Sequence, residues 1–304
     1  MAQAQTPLNE PKTRMKTAKK STQESRSLYY DAWLRLKRNK AAMVGLFFVI
    51  LLVVVAIFAE VIAPHDPYAQ NLEYRLKPPT AQHLLGTDDY GRDILSRIIY
   101  GARVSLMVGV ISEGIALIIG VLLGAIAGYY GGKVDNIIMR LCDIMFAFPE
   151  LLFCIGIMFA LGPGIYNVFI AIGFVGWAGY ARLVRGQILS LKKMEFVEAA
   201  HASGAKDFRI IFKHILPNTL APIIVMLTLS IPGAIMSEAS LSFLGLGAQP
   251  PMASWGSMIF DGRSYLRTFP WFSITPGIAI MLTVLGFNLF GDGLRDALDP
   301  RLKR

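Results

Sequence analysis

Six long apolar runs divide the chain, and each is separated from the next by polar or turn-forming residues. Residues 41–63 carry no charge until Glu60 near the far end, which predicts a first membrane-crossing helix. A second run covers 104–128 and is interrupted by Glu113 near mid-membrane, where an ionisable group costs roughly 2.5–3.5 kcal/mol and must face other helices or water. A hydrogen-bonded structural role for Glu113 comes first in this reading and a pathway-lining role second. The third run, about 136–161, holds Asp143 and the pair Pro149 and Glu150, so a kink or restart is predicted at the proline. Gly162, Pro163 and Gly164 then form a turn, and the fourth run, about 165–181, closes at Arg182 and Arg185. The fifth run, about 216–237, contains Pro217, Pro222 and Pro232 and ends at Glu238. Carbonyls freed by prolines are tolerated in a bilayer only where protein or a water-filled cavity satisfies them, so this helix is the candidate for lining a path. The sixth run follows Trp271 and covers about 272–290. The fold class is therefore all-α and polytopic, with six transmembrane helices.

The stretches between the runs set the orientation. Residues 1–40 form a basic tail in which 1–27 have almost no large apolar side chains and are predicted to be disordered. Residues 28–40 mix Tyr29, Tyr30 and Trp33 with Arg35, Lys37, Arg38 and Lys40, a composition suited to the headgroup region. Residues 64–103 are polar and turn-rich, ending in a short amphipathic helix over 93–100, and residues 240–267 form a second loop in which short helical turns are expected. With six crossings, 23 of the 30 Lys and Arg residues fall on the side holding both chain ends, the loop near Lys133 and the segment 182–213. That side is cytoplasmic by the positive-inside rule.

Composition agrees with the pattern and removes other classes. Hydrophobic residues make up 54% of the 304, far from the globular balance. The net charge of +9 sits beside apolar runs instead of gathering on one face with aromatic partners, which argues against nucleic acid as a partner. Cys142 and Cys154 fall in one apolar run and are assigned to packing. No cleavable signal is expected, because the first apolar run follows a tail of 40 residues and is itself long enough to span. Gly132 and Lys133 are preceded by Ala127 and followed by Val134 where a phosphate loop needs Gly and Ser or Thr. No His-Glu-x-x-His or Gly-x-Ser-x-Gly pattern occurs, so catalysis by this chain is not expected. The polar residues His65, Asp66, Glu73, His83, Asp88, Asp89 and Asp93 lack the alternating spacing of a calcium loop and are read as scattered solvated groups.

The segment from Glu195 to Asn218 is polar, helical in pattern and flanked by apolar runs. Val197, Ala200, His201 and Gly204 recur at helical spacing and predict one narrow face of small groups open to close approach by another protein. Phe208, Ile211, Phe212 and Ile215 then oppose Lys206, Arg209 and Lys213, predicting a turn lying along the membrane boundary until Pro217 bends the chain away.

The run Glu198, Ala199, Ala200, then Gly204, then Leu216 and Pro217 resembles the cytoplasmic docking loop of the membrane subunits of ABC importers. His214 stands where the general family has an aliphatic residue, as it does in the peptide-transport branch. Gly86 to Asp93, GTDDYGRD, and the ending from Gly291 resemble peptide-type permeases as well, so the resemblance covers the chain from about Leu34 onward. It implies the oligopeptide, dipeptide and nickel group, with the look of the oligopeptide permeases and the type I importer fold, in a bacterial inner membrane with both termini cytoplasmic.

The division that follows is a tail over 1–40, a first span over 41–63, an extracytoplasmic segment over 64–103, a core domain over 104–293 with a coupling loop at 186–215, and a tail over 294–304. The implied partners are a second, related permease forming a heterodimer, two cytoplasmic ATPase subunits and an extracytoplasmic substrate-binding protein. ATP and magnesium would be held by the ATPases, with no cofactor or metal on this chain. The implied coupling residues are Glu195, Glu198, Ala199, Ala200, Gly204, Ala205, Phe208, Phe212, Leu216 and Pro217, and the pathway candidates are Glu113, Pro222, Pro232 and Glu238. Permeases for nickel or glutathione share this pattern; a stand-alone secondary transporter or a structural membrane subunit explains the spans but not the docking motif.

Overall fold

A computed structural model describes residues 28–299; the expectations for 1–27 and for 300–304 lie outside the described residues. The helices run in the order α1 (Leu28–Arg38), α2 (Lys40–Ile57), α3 (Ala59–Ile62), α4 (Ile94–Tyr130), α5 (Gly132–Ala147), α6 (Glu150–Leu161) and α7 (Ile165–Leu191). They continue with α8 (Glu195–Ala202), α9 (Asp207–Arg209), a π-helical turn (Ile210–Ile215), α10 (Leu216–Phe243), α11 (Trp255–Gly262) and α12 (Trp271–Leu298). Five helical runs are long and apolar enough to cross a membrane, and the pair α5 and α6 makes a sixth if counted as one.

Two boundaries differ from the sequence expectation, and a third is sharper than expected. The short helix over 93–100 and the second span are one helix, α4, of 37 residues. Asp93 caps it, its Oδ2 accepting from the Ser96 amide at 2.8 Å, and nothing after that cap breaks the helix until Gly131 at φ +67°. At 1.5 Å per residue it is about 55 Å long, so it must extend beyond a hydrocarbon core of about 30 Å. The third run is sharply bent at the expected restart: α5 and α6 meet at 94°. Pro149 causes the corner, because it forces the residue before it out of helical geometry, and Phe148 accordingly lies at φ −99°, ψ 140°. Lastly, the turn carrying Phe208 and Phe212 is not a separate surface helix ended by Pro217. The chain runs helically from Asp207 to Phe243, with Pro217 in the first turn of α10, and the Asn218 side-chain amide donates to the His214 carbonyl at 2.7 Å nearby.

The centre of the bundle is the contact of α4 with α7. Gly120, Gly124 and Gly128 recur every fourth residue on α4, and a Cβ on any of them would run into the α7 backbone at Trp177, Ala181 or Arg185. Removing the side chain lets the two backbones touch, which is how helices associate tightly without a hydrophobic driving force between them. A second close pair joins α2 to α12, where Gly45 abuts Gly286 and Phe290 and Gly293 abuts Ala42. Against it, α1 packs Ala32 and Leu36 beside Ala42 and Ala297. Two ion pairs hold α5 to α7: Arg185 clamps Asp135 with two donors, and Arg182 reaches Asp143 at 2.7 Å. Cys142 and Cys154 are free and fully buried.

Of the acids in residues 64–93, Asp66 and Glu73 are exposed as expected, but Asp88 and Asp93 are not solvated. Asp88 and Asp93 are 0% and 2% exposed, and Asp88 is held by Arg92 at 2.6 Å and faced by Arg97 at 3.5 Å. The segment folds onto the start of α4 and onto α11, whose Trp255 donates from its indole to the Ile98 carbonyl at 3.0 Å. Burial, with Asp89 nearby, holds the Asp261 carboxyl above the usual carboxylate range. A carboxylate whose folded pKa is raised destabilises the fold above that pKa, so stability rises as pH falls through it. Asp261→Asn is therefore expected to raise the apparent melting temperature in detergent at neutral pH, with the gain shrinking toward pH 4. A variant that melts lower at neutral pH would show that attraction from Arg97 outweighs burial.

Candidate coupling surface and membrane groove

The polar segment folds as α8, a tight turn and the π-helical lead into α10. Gly204 makes that turn at φ +75°, a conformation costing an L-residue roughly 1–2 kcal/mol, and the space around its Cα is open. Val197 and Ala200 point inward, packing with Ile210, Ile211 and Ile215 against Val184, Ile188 and Ala125. This corrects half of the expected docking face: Val197 and Ala200 anchor α8 to its own bundle, whereas His201 and Gly204 remain exposed. Anchoring needs an apolar side, and on a helix of two turns only the opposite side remains for a partner.

That opposite side presents Glu195, Phe196, Glu198, Ala199, Ala202 and Gly204 to the exterior. Beyond the turn, Phe208 is 72% exposed and Phe212 40%, their rings 4.4 Å apart. Ala205 is half-buried, Leu216 half-buried and Pro217 exposed. Tyr129 of α4 steadies the loop from behind, donating to Asp207 at 2.8 Å. Glutamates beside exposed aromatic rings make a surface suited to a protein partner, since aromatic anchors dominate interface energies.

A cavity of about 290 Å³ opens between the α5 and α6 corner, α7 and α10. Glu113, Glu150, Tyr180, Gly176, Ser230 and Gly233 are among its lining residues. Glu113 is 6% exposed and accepts a hydrogen bond from the Tyr180 hydroxyl at 2.6 Å, so it is hydrogen-bonded within the bundle at the edge of this cavity. Glu150 is exposed, with Ser237 donating to it at 3.4 Å. A larger cavity, about 730 Å³, lies farther along α7 and α10, lined by Gln187, Asn218, Pro222, Ser230 and Arg295. Ser230 borders both, so the two cavities adjoin along the α7 and α10 seam, the groove of this site.

Pro222 thus lines the groove, whereas Pro232 and Glu238 are buried away from its linings. Glu238 is fully buried and accepts from Ser242 at 2.6 Å, one turn along the same helix. Sequence reasoning missed Glu150, Tyr180 and Ser230 as groove residues. A carboxylate immediately after a proline inside an apolar run was the one available signal.

A helical bundle with an open groove along one seam and an exposed polar loop at one end is the build of a membrane transport subunit. The chain belongs to the family of binding-protein-dependent transport system inner membrane components, whose model matches residues 120–304. Residues 27–79 match the N-terminal transmembrane domain of oligopeptide transport permease C. Similar curated proteins include the dipeptide transport system permease protein DppC of Alkalihalophilus pseudofirmus, 51% identical over 91% of each chain. The oligopeptide transport system permease protein OppC of Bacillus subtilis is 47% identical over 94% of each chain. The glutathione transport system permease protein GsiD of Pectobacterium atrosepticum is 46% identical over 91% of this chain and 93% of its own. Among solved structures, a chain of the MetNI methionine ABC transporter in an inward-facing form matches with a TM-score of 0.56 at 17% identity. It covers 68% of this chain and 98% of that one, a likeness of fold. The matched family and the named relatives are membrane components and permease proteins of transport systems.

Proposed function

We propose that this chain forms half of the translocation pathway of an ABC importer for short peptides, and that it is driven by cytoplasmic ATPases docking on the α8 loop. The observation that carries the coupling is the exposed surface of Glu195, Glu198, Ala199, Gly204, Phe208 and Phe212, set on a loop whose other side is anchored in the bundle. The substrate class is supported by relatives whose names specify dipeptides, oligopeptides and glutathione, itself a tripeptide.

In this reading a second, related permease covers the α7 and α10 groove, closing it into a path. Two ATPase subunits hold ATP and magnesium; their closure on nucleotide pulls the α8 loops of the two permeases together. An extracytoplasmic binding protein delivers the peptide to the opposite end, and both termini of this chain are cytoplasmic. The mechanism is a two-state rearrangement biased by ATP. Glu113 and Glu150 give the upper groove acceptors for a peptide's ammonium and amide groups, while Gln187, Asn218 and Arg295 give the lower groove polar contacts toward its carboxylate.

The test is uptake of labelled di- and tripeptides by cells whose own peptide permeases are deleted, expressing this chain with its genomic neighbours. Ser230→Trp, filling the junction of the two cavities, is expected to lose most of the uptake while ATPase subunits still co-purify. Undiminished peptide uptake by that variant would remove the groove from the path.

A further inference from the structure

Behind the α4 cap, three side chains that the transport reading does not use converge on one point. His83 Nδ1 lies 2.9 Å from Asp93 Oδ1, and His65 Nδ1 lies 3.7 Å from the same oxygen. The imidazole rings are 4.6 Å apart, and one donor atom from each of the three residues fits within 4.8 Å. Capping of α4 accounts for Asp93, and pairing with that acid accounts for His83. Neither accounts for His65, whose Nδ1 is buried and makes no hydrogen bond although it faces a carboxylate.

We propose that His65, His83 and Asp93 form a binding site for a zinc-type divalent cation. Two imidazoles and one carboxylate are the donor set of a zinc site with one position left for water. A tetrahedral ion with bonds of about 2.0–2.1 Å holds its ligands about 3.3 Å apart. The two donor distances to Asp93 Oδ1, 2.9 and 3.7 Å, bracket that value, and all three donor atoms lie within 4.8 Å of one another, so the ligands draw together by at most about an ångström or two to hold the ion. His65 is the partly exposed member of the three.

The supporting contacts are those a metal site requires, since ligands must be held in orientation by their neighbours. The Asp93 Oδ2 atom takes hydrogen bonds from the Ser96 amide and hydroxyl, both at 2.8 Å, leaving Oδ1 for the ion. The His65 amide donates to the same Ser96 hydroxyl at 3.1 Å, and the His83 amide donates to Thr80 at 3.0 Å. Bound metal would tie the chain just after α3 to the first turn of α4 and to the 80–87 loop. Hard cations such as magnesium, which favour oxygen donors, are not expected to compete.

The experiment uses the transporter purified in detergent with its genomic neighbours, stripped with a chelator and desalted. Zinc alone is titrated against a chromophoric chelator, and bound metal is counted by mass spectrometry. The wild type is expected to retain one zinc per copy of this chain, undisturbed by excess magnesium. His65→Ala is expected to weaken binding about tenfold or more, a change of at least about 1.4 kcal/mol. Its side chain makes no hydrogen bond, so the variant should purify in the wild-type yield. His214→Ala, which alters the other end of the fold, should bind as the wild type does. Cobalt in place of zinc should give tetrahedral ligand-field bands that His65→Ala loses. The proposal is overturned if the stripped wild type takes up no zinc, or if His65→Ala and wild type bind it equally, which would place the metal on another subunit.

Discussion

Ala199→Arg and Gly204→Glu are each expected to abolish peptide uptake and to release the ATPase subunits, while the protein still inserts and pairs with its partner permease. Both positions lie on the outward side of the α8 loop. A charge brought into a docked interface without a partner loses its hydration and recovers little, an imbalance of about 3–5 kcal/mol. At about 1.4 kcal/mol per factor of ten, docking weakens by roughly a hundredfold or more. The two variants separate docking from folding. Gly204→Glu adds backbone strain at φ +75°, whereas Ala199 sits on a helix with its side chain in the open, where arginine is a good helix former. Co-purification of the subunits from detergent, with ATPase and uptake assays, gives the answer. Should Ala199→Arg bring down the ATPases and import peptide at wild-type levels, the α8 loop is not the coupling element.

The elements that depend on hydropathy alone were legible in the sequence. The apolar runs at 104–128, 165–181 and 272–290 each fall inside a long helix, the run at 41–63 is shared between α2 and the short α3 with a break at Phe58, and the break at Pro149 was visible as a proline effect. The sharpness of that break was not, because a proline fixes the residue before it but the angle between the flanking helices is set by packing. Helix ends were misplaced at α4 and α10 for a related reason: amphipathic or polar turns beyond the apolar run lower the hydropathy without ending the helix.

The docking segment shows the limit most clearly. Its helical spacing located α8, yet periodicity cannot say which face turns inward, and the small-residue stripe of Val197 and Ala200 proved to be the anchor. Burial of Asp88, Asp93 and His83 was hidden too, since a polar loop carries no sequence mark of having its own charge-paired core. The groove needed two distant runs to be brought together, and only Glu113 and Pro222 among the four pathway candidates line it.

Gly124→Leu should prevent a folded chain from accumulating at all, an effect larger than that of any groove substitution. An added Cβ at Gly124 would collide with the Ala181 carbonyl oxygen and lie 2.9 Å from its Cα. These are backbone atoms of α7, so no rotamer change can clear them, and the helices must separate along the whole stripe of Gly120, Gly124 and Gly128. Overpacking that side chains can absorb costs about 1–3 kcal/mol. A clash with backbone exceeds that range, against a total stability of about 5–15 kcal/mol for an ordinary domain.

The same helix supplies the control. A Cβ at Gly114 meets nothing within 4 Å, so Gly114→Leu adds the same atoms to α4 starting from open space instead of from a backbone clash. Fluorescence-detected size exclusion after extraction should show a sharp peak for wild type and Gly114→Leu, and a lost or aggregated one for Gly124→Leu. Gly124→Ala should fall between them. If Gly124→Leu gives the wild-type peak and melting temperature, the α4 and α7 backbones are not in contact, and the groove built on α7 loses its frame.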